Sequence, residues 1–191
     1  MKIALPLFVL GLSSAACAAG AGPETVAAAH FDAVELQGGG HVVLKHGATQ
    51  SVRLMKGSTA YTRIHPDPDN PNKLVIEACN SDCPHHYDLE VEIVTPAIGG
   101  VAISGGGSIT SDGSFPSQHT ISAAVHGGGA IDIKAIDAAD ATAAVECGGV
   151  ILVRAKDGLT AAVNGGGRIK YWGNPRTTEA IDGGGSVSKG G

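Results

Sequence analysis

Val125-His126-Gly127-Gly128-Gly129-Ala130-Ile131 states in seven residues the phrase from which most of the chain is built. An apolar residue, a polar one, three small residues, one more residue and then Ile or Val recur five further times. The copies are Leu36-Gln37-Gly38-Gly39-Gly40-His41-Val42, Ile103-Ser104-Gly105-Gly106-Gly107-Ser108-Ile109, Val145-Glu146-Cys147-Gly148-Gly149-Val150-Ile151, Val163-Asn164-Gly165-Gly166-Gly167-Arg168-Ile169 and Ile181-Asp182-Gly183-Gly184-Gly185-Ser186-Val187. From Gly105 onward the triplets begin 22, 20, 18 and 18 residues apart. Self-similarity at such a period marks stacked units, each unable to bury its apolar face alone.

Outward from the glycines, side chains alternate with period two in Val91-x-Ile93, Val101-x-Ile103, Ile131-x-Ile133, Ile151-x-Val153 and Ile169-x-Tyr171. This predicts short half-buried strands, and no stretch carries a helical period of 3.6. Between the glycine phrases stand second turn signals: Ser111-Asp112-Gly113, Asp137-Ala138-Ala139-Asp140, Lys156-Asp157-Gly158 and Gly173-Asn174-Pro175. Each period is therefore expected to hold two strands and two corners of an all-β parallel solenoid. Glycine suits the first corner because a tight turn forces positive φ, and because stacked corners leave no room for side chains. A nucleotide loop would lead from a strand into a helix and occur once. These loops lead into strands and recur, which excludes that reading.

Residues 31–96 depart from the short period. They contain one glycine phrase, expected strands near Ala33–Leu36, Val42–Lys45, Ser51–Met55, Lys73–Ala78 and Leu89–Val94, and a polar, Pro-rich stretch from His65 to Pro71. Thr59 to Ile64 reads as one short helical turn. This longer-looped half is expected to share the sheets of repeats 97–191 as one domain, 31–191, because so few large side chains would make it marginal alone.

Lys2, the apolar run Ile3–Leu12 and the small residues Ser13–Ala21 read as a signal peptide, residues 1–21, followed by a linker, 22–30. The expectation is export to the periplasm or cell surface, with a lipid anchor at Cys17 the less favoured outcome because Ser14 stands where a lipobox has Leu. No other apolar run approaches a membrane span. Removing Lys2 with the leader leaves 12 basic residues against 18 acidic, a net charge of −6. Without a Lys/Arg cluster, this argues against nucleic acid as a partner. The 43% apolar composition is carried mostly by Ala, Val and Ile, with only seven aromatics, which suits thin stacked layers.

Taken together, Phe31-Asp32-Ala33-Val34 before the first glycine phrase, Val91-x-Ile93-x-x-Pro96, the serial glycine corners and Ile169-Lys170-Tyr171-Trp172-Gly173-Asn174-Pro175 resemble the bacterial family described as putative auto-transporter adhesin, head GIN domain. The resemblance runs from about Phe31 to Ser188. It implies a right-handed β-helix with the architecture of pectin lyases but without their catalytic residues, and an adhesion role. The chain departs from the family in having mostly Gly-Gly-Gly corners where Gly-Ser-Gly is commoner, in Cys147, and in the Cys79/Cys83 segment.

Two constellations are candidate sites. Cys79, Cys83, His85 and His86 offer four ligands to zinc, but adjacent histidines on a strand face opposite ways and exported cysteines favour a disulfide. The expectation is a Cys79–Cys83 disulfide, no metal and no cofactor, with Cys147 a free, buried thiol. If the coils stack in register, Ser104, His126, Glu146, Asn164 and Asp182 form one polar ladder, with Ser108, Ala130, Val150, Arg168 and Ser186 across the corner. Such ladders, Arg168 included, suit an extended glycan, a peptide or another cell-surface component held by many weak hydrogen bonds. No catalytic residues are assigned, since the Asp residues mostly sit in turns. A carbohydrate-active enzyme would need converging carboxylates or a base with Arg or Lys; Asp132 and Glu146 could approach across neighbouring coils, but so could many pairs in any stacked array. A third class, a self-assembling module, would use open end coils.

Overall fold

The computed structural model describes residues 23–79 and 82–191; the expected signal segment 1–21, with Cys17, lies outside them. The fold is all-β, and the described residues contain no helix. Its strands form two ladders that meet at the glycine corners. In the first ladder, strands β2 (Ala33–Gly38), β8 (Gly100–Gly105), β10 (Gln118–Gly127), the later part of β11 (Ala130–Cys147), the later part of β12 (Val150–Gly165) and β14 (Arg176–Asp182) pair in parallel. In the second, β3 (His41–His46), β9 (Ser108–Asp112), the starts of β11 and β12, β13 (Arg168–Trp172) and β15 (Ser186–Lys189) do the same.

Register places like on like. Leu36, Ile103, Val125, Val145, Val163 and Ile181 make one column. Val42, Ile109, Ile131, Ile151, Ile169 and Val187 make another. Except at the last rung, these columns are buried, and Ala123, Ala143 and Ala161 stack between the ladders as a column of small residues. Alternation puts every second residue into this core.

The corners explain the glycines position by position. At the first position φ is positive, +123° at Gly127, and a Cβ there would lie 2.6 Å from the carbonyl oxygen of Gly105. At the third position a Cβ would strike the apolar residue that leads into the corner one rung earlier: at Gly129 it would meet Ile103 Cγ2 at 2.6 Å. At the middle position of Gly39, Gly106, Gly128 and Gly184 it would meet nothing within 4 Å. The demand for glycine thus falls on the third position and, through positive φ, on the first, where Cys147 is the one residue of the six phrases to carry a side chain; the middle is open to serine.

The second corners differ from expectation in two rungs. Asp137–Asp140 and Lys156–Gly158 do not interrupt β11 and β12, which bend there through shifts of register. Cys147 is also a correction: it occupies a first corner position with φ +77° and is exposed, not buried. At that point the chain has left the alternating strand, so parity no longer points the side chain inward.

A uniform parallel stack does not extend to the N-terminal end, where the sheet is mixed. Strand β6 (Lys73–Glu77) lies parallel to β2, and β7 (Glu90–Thr95) parallel to β3, so they form one more rung. Outside it, β5 (Arg63–Pro66) runs antiparallel to β6, β4 (Ser51–Lys56) antiparallel to β7, and β1 (Glu24–Val26) antiparallel to β4. Only residues 47–50 join β3 to β4, too few for a parallel crossover. Strand β1 falls in the stretch expected to be linker. The single helical turn expected at Thr59–Ile64 lies at Ser58–Thr62, where the amides of Tyr61 and Thr62 donate to the Ser58 carbonyl, and it passes directly into β5 without continuing as a helix.

Candidate functional site

The outer face of the first ladder carries three parallel rows. Nearest the corner, Gln37, Ser104, His126, Glu146, Asn164 and Asp182 stand in register, so the structure does assemble the polar ladder. Beside it runs a floor of Ala102, Ala124, Ala144, Ala162 and Ala180, and beyond that a row of Ser122, Thr142, Thr160 and Thr178. Two shallow depressions of about 270 and 200 Å³ lie along this face and share Ala144 and Glu146. Six rungs at the ordinary strand spacing extend roughly 24 Å.

Within the row His126 Nδ1 and Glu146 Oε2 are 2.8 Å apart, both largely exposed. At its N-terminal end Glu35 occupies the row that alanine fills elsewhere. Its carboxylate accepts hydrogen bonds from Lys73 Nζ at 2.7 Å, Gln37 Nε2 at 3.0 Å and Ser104 Oγ at 3.2 Å, and Lys73 also pairs with Asp67 at 2.6 Å. Burial works against the Glu35 charge, but these donors outweigh it and hold its pKa below the ordinary value. This outer face therefore ends on a braced charge network.

Arg168 belongs to the row across the corner, with His41, Ser108, Ala130, Val150 and Ser186. It is exposed, whereas His41 at the other end is tied to Ser108 Oγ at 2.7 Å and to Thr110 Oγ1 at 3.4 Å. Between the two rows, corner amides are turned along the stack. Gly106 and Gly107 donate to Gly38 O, Gly128 to Gly105 O, Gly148 to Gly127 O and Gly166 to Cys147 O. Donors engaged in this way cannot cradle a phosphate.

Asp132 and Glu146 do not converge. Asp132 pairs with Thr110 and Leu152 in the second ladder and is engaged by Lys134, whereas Glu146 stands in the first. Cys79 and Cys83 form the expected disulfide, which removes two of the four ligands a zinc site would use. The disulfide stands between β6 and β7, where other rungs have a glycine corner.

Sequence reasoning missed the alanine floor and the threonine row. Their signal was present in the same period-two alternation, in Ser122-x-Ala124, Thr142-x-Ala144, Thr160-x-Ala162 and Thr178-x-Ala180. It also missed Gln37 and Glu35, because the long N-terminal insertion hides their register with Ser104 and Ala102.

With this geometry in hand, the chain resembles several known proteins. A putative adhesin from Bacteroides fragilis shares the fold with a TM-score of 0.51 at 15% identity, covering 87% of this chain and 95% of that one. A putative lipid binding protein from Parabacteroides distasonis aligns over 89% of this chain and 97% of its own, at 16% identity and a TM-score of 0.41. A putative adhesin from Parabacteroides merdae aligns over 88% and 95%, at 14% identity and 0.39. No curated protein sequence matches the chain. Residues 116–175, which hold the rungs of Gly127, Cys147 and Gly165, match the family model described as putative auto-transporter adhesin, head GIN domain, and this is the family to which the chain is similar.

Proposed function

We propose that this is an exported, non-enzymatic binding protein of the adhesion type that holds an extended glycan along the outer face of the first ladder. The observation that carries this reading is the in-register row Ser104, His126, Glu146, Asn164 and Asp182 beside the alanine floor. A flat apolar strip accepts the C–H face of a sugar. Polar rims on both sides supply hydrogen bonds at a repeat of about 4.8 Å, the strand spacing. Arg168, exposed in the row across the corner, would add a cation for an acidic substituent. The likeness to the Bacteroides fragilis protein and the disulfide in the N-terminal rung agree with an exported surface protein. The parallel, in-register rungs further support a right-handed β-solenoid in the repeat half, the hand that crossovers between parallel strands favour.

The test is binding of the purified protein to an array of extended polysaccharides, with product analysis on every hit. Saturable binding without cleavage, lost in a His126→Ala, Glu146→Ala, Asn164→Ala variant that keeps its circular dichroism spectrum, is the expected result. Binding unchanged by the triple variant overturns the site, and cleavage of the bound polymer overturns the non-enzymatic reading.

A further inference from the structure

The last rung is unlike the others. Strand β14 pairs only with β12 and β15 only with β13 among the described residues, so both offer a free edge at the same end of the stack. Its residues occupy core columns: Ile181 follows Val163, and Val187 follows Ile169. Ile181 is 48% exposed and is the only exposed large hydrophobic residue among those described. Two core columns end on charge. Glu179 takes the place of Ala161, Ala143 and Ala123, and Lys189 follows Tyr171 and Val153.

An inward charge on an edge strand ordinarily repels further strands. Here the two charges are opposite in sign and equally spaced from the corner. Glu179 and Lys189 each lie five residues from Gly184, Ile181 and Val187 three, and Asp182 and Ser186 two. A two-fold axis through Gly184, perpendicular to the stack, exchanges β14 with β15. Under it, β14 of one copy would lie antiparallel to β15 of the other, with Ile181 opposite Val187 and Glu179 opposite Lys189 at both symmetry-related sites. Directly opposed residues in an antiparallel pair share a face, so the exposed apolar side chain and both charges would be covered together.

We infer that the protein forms a tail-to-tail dimer through this rung, a second copy of the chain being the partner that its apolar and charge pattern fits. The interface is isologous and closed, as a two-fold contact requires. It leaves the alanine floor of each copy free and so presents two binding faces, which raises avidity for a repeating ligand. The inference stands independently of what that ligand is.

The test is light scattering and sedimentation over a wide concentration series, with reductant present so that Cys147 cannot cross-link. The wild-type protein is expected to dimerise. Glu179→Lys and Lys189→Glu should each raise the dissociation constant by about tenfold or more, and the double reversal should restore dimerisation because the pairs re-form with exchanged signs. A second measurement does not depend on affinity. Gly184→Cys in a Cys147→Gly background should cross-link to itself on mild oxidation, since residue 184 lies on the axis and the two copies fall within disulfide reach. A wild-type monomer at every concentration overturns the inference. So does a dimer indifferent to the single reversals, a folded double reversal that stays monomeric, or the absence of the cross-link.

Discussion

The two ends of the molecule hold a rung together by different means. In the repeat half the work is done by backbone: glycine corners lie one above another, amides donate along the stack, and alanine columns let the ladders approach closely. In the N-terminal half it is done by side chains. There the core holds Phe31, Leu36, Leu44, Ile76 and Leu89, the corner is a disulfide loop, and charges bridge strands: Asp67, Lys73 and Glu35 on one ladder, Lys45, Glu92 and Arg53 on the other. The comparison teaches that a repeating corner leaves no room for a side chain at its third position and, Cys147 apart, carries none at its first. Irregular rungs, free of that constraint, can recruit larger groups to close an end.

The largest expected effect is therefore in the repeat half. Gly127→Val places a β-branched residue at φ +123° and drives its Cβ toward the Gly105 carbonyl. A loss of about 3 kcal/mol or more is expected from strain and overpacking together. Urea unfolding measures it, and a loss below about 1 kcal/mol would mean that the corners are not stacked as described.

In the N-terminal half the corner is held by a covalent link, and replacing Cys79 and Cys83 by serine should cost less. Closing a loop with a sequence separation of 4 stabilises by about 2 kcal/mol through chain entropy. Thermal unfolding of the Cys79→Ser, Cys83→Ser variant, with the repeat-half signal followed separately, would show the loss confined to the N-terminal rungs. An equal loss in both halves would erase the distinction between them.

A smaller effect is expected from Lys73→Met. Glu35 would keep Gln37 and Ser104 but lose the cation, at a cost of about 1 kcal/mol at neutral pH. The pH dependence provides a second readout. Because the folded pKa of Glu35 is depressed, its contribution is present above the unfolded value and is lost as pH falls through the folded one. Lys73→Met should flatten that acid-side loss, and an unchanged slope would assign the pH dependence to other carboxylates, Glu92 beside Lys45 first among them.

His65 works in the opposite direction. Its Nδ1 faces the Pro66 carbonyl at 2.9 Å and its Nε2 faces a Glu77 carboxylate oxygen at 2.9 Å, an arrangement satisfied by the doubly protonated ring. Its pKa is accordingly raised, first by the Pro66 carbonyl and then by Glu77. Stability from this contact is full below the unfolded pKa and is lost as pH rises through the folded one.

Much of this architecture was legible in the glycine phrases. Their period announced stacked rungs, and the polar residue before each triplet, from Ser104 to Asp182, announced the row that the register assembles. What stayed hidden depends on contacts between rungs. Three glycines look alike in sequence, yet only stacking separates the first and third, blocked by a carbonyl and by an apolar side chain, from the open middle. The rung formed by β6 and β7 carries no glycine corner, so nothing in the sequence marked it as a rung. Glu35 looked like one more polar strand residue until the β2–β8 register set it in the alanine row. Cys147 looked like a buried apolar substitute because free cysteine is ordinarily a small, buried residue, and its place at a corner of positive φ leaves it exposed instead.

The central claim, that stacking dictates the corners, is tested most directly by comparing Gly128→Ala with Gly129→Ala in urea. The two residues are adjacent and chemically identical, but a Cβ on Gly128 meets nothing within 4 Å, whereas one on Gly129 meets Ile103 at 2.6 Å and the Gly107 carbonyl at 2.9 Å. The expected result is a change within about 0.5 kcal/mol, or a slight gain, for Gly128→Ala, and a loss of about 2 kcal/mol for Gly129→Ala. Equal effects at the two positions would contradict the account.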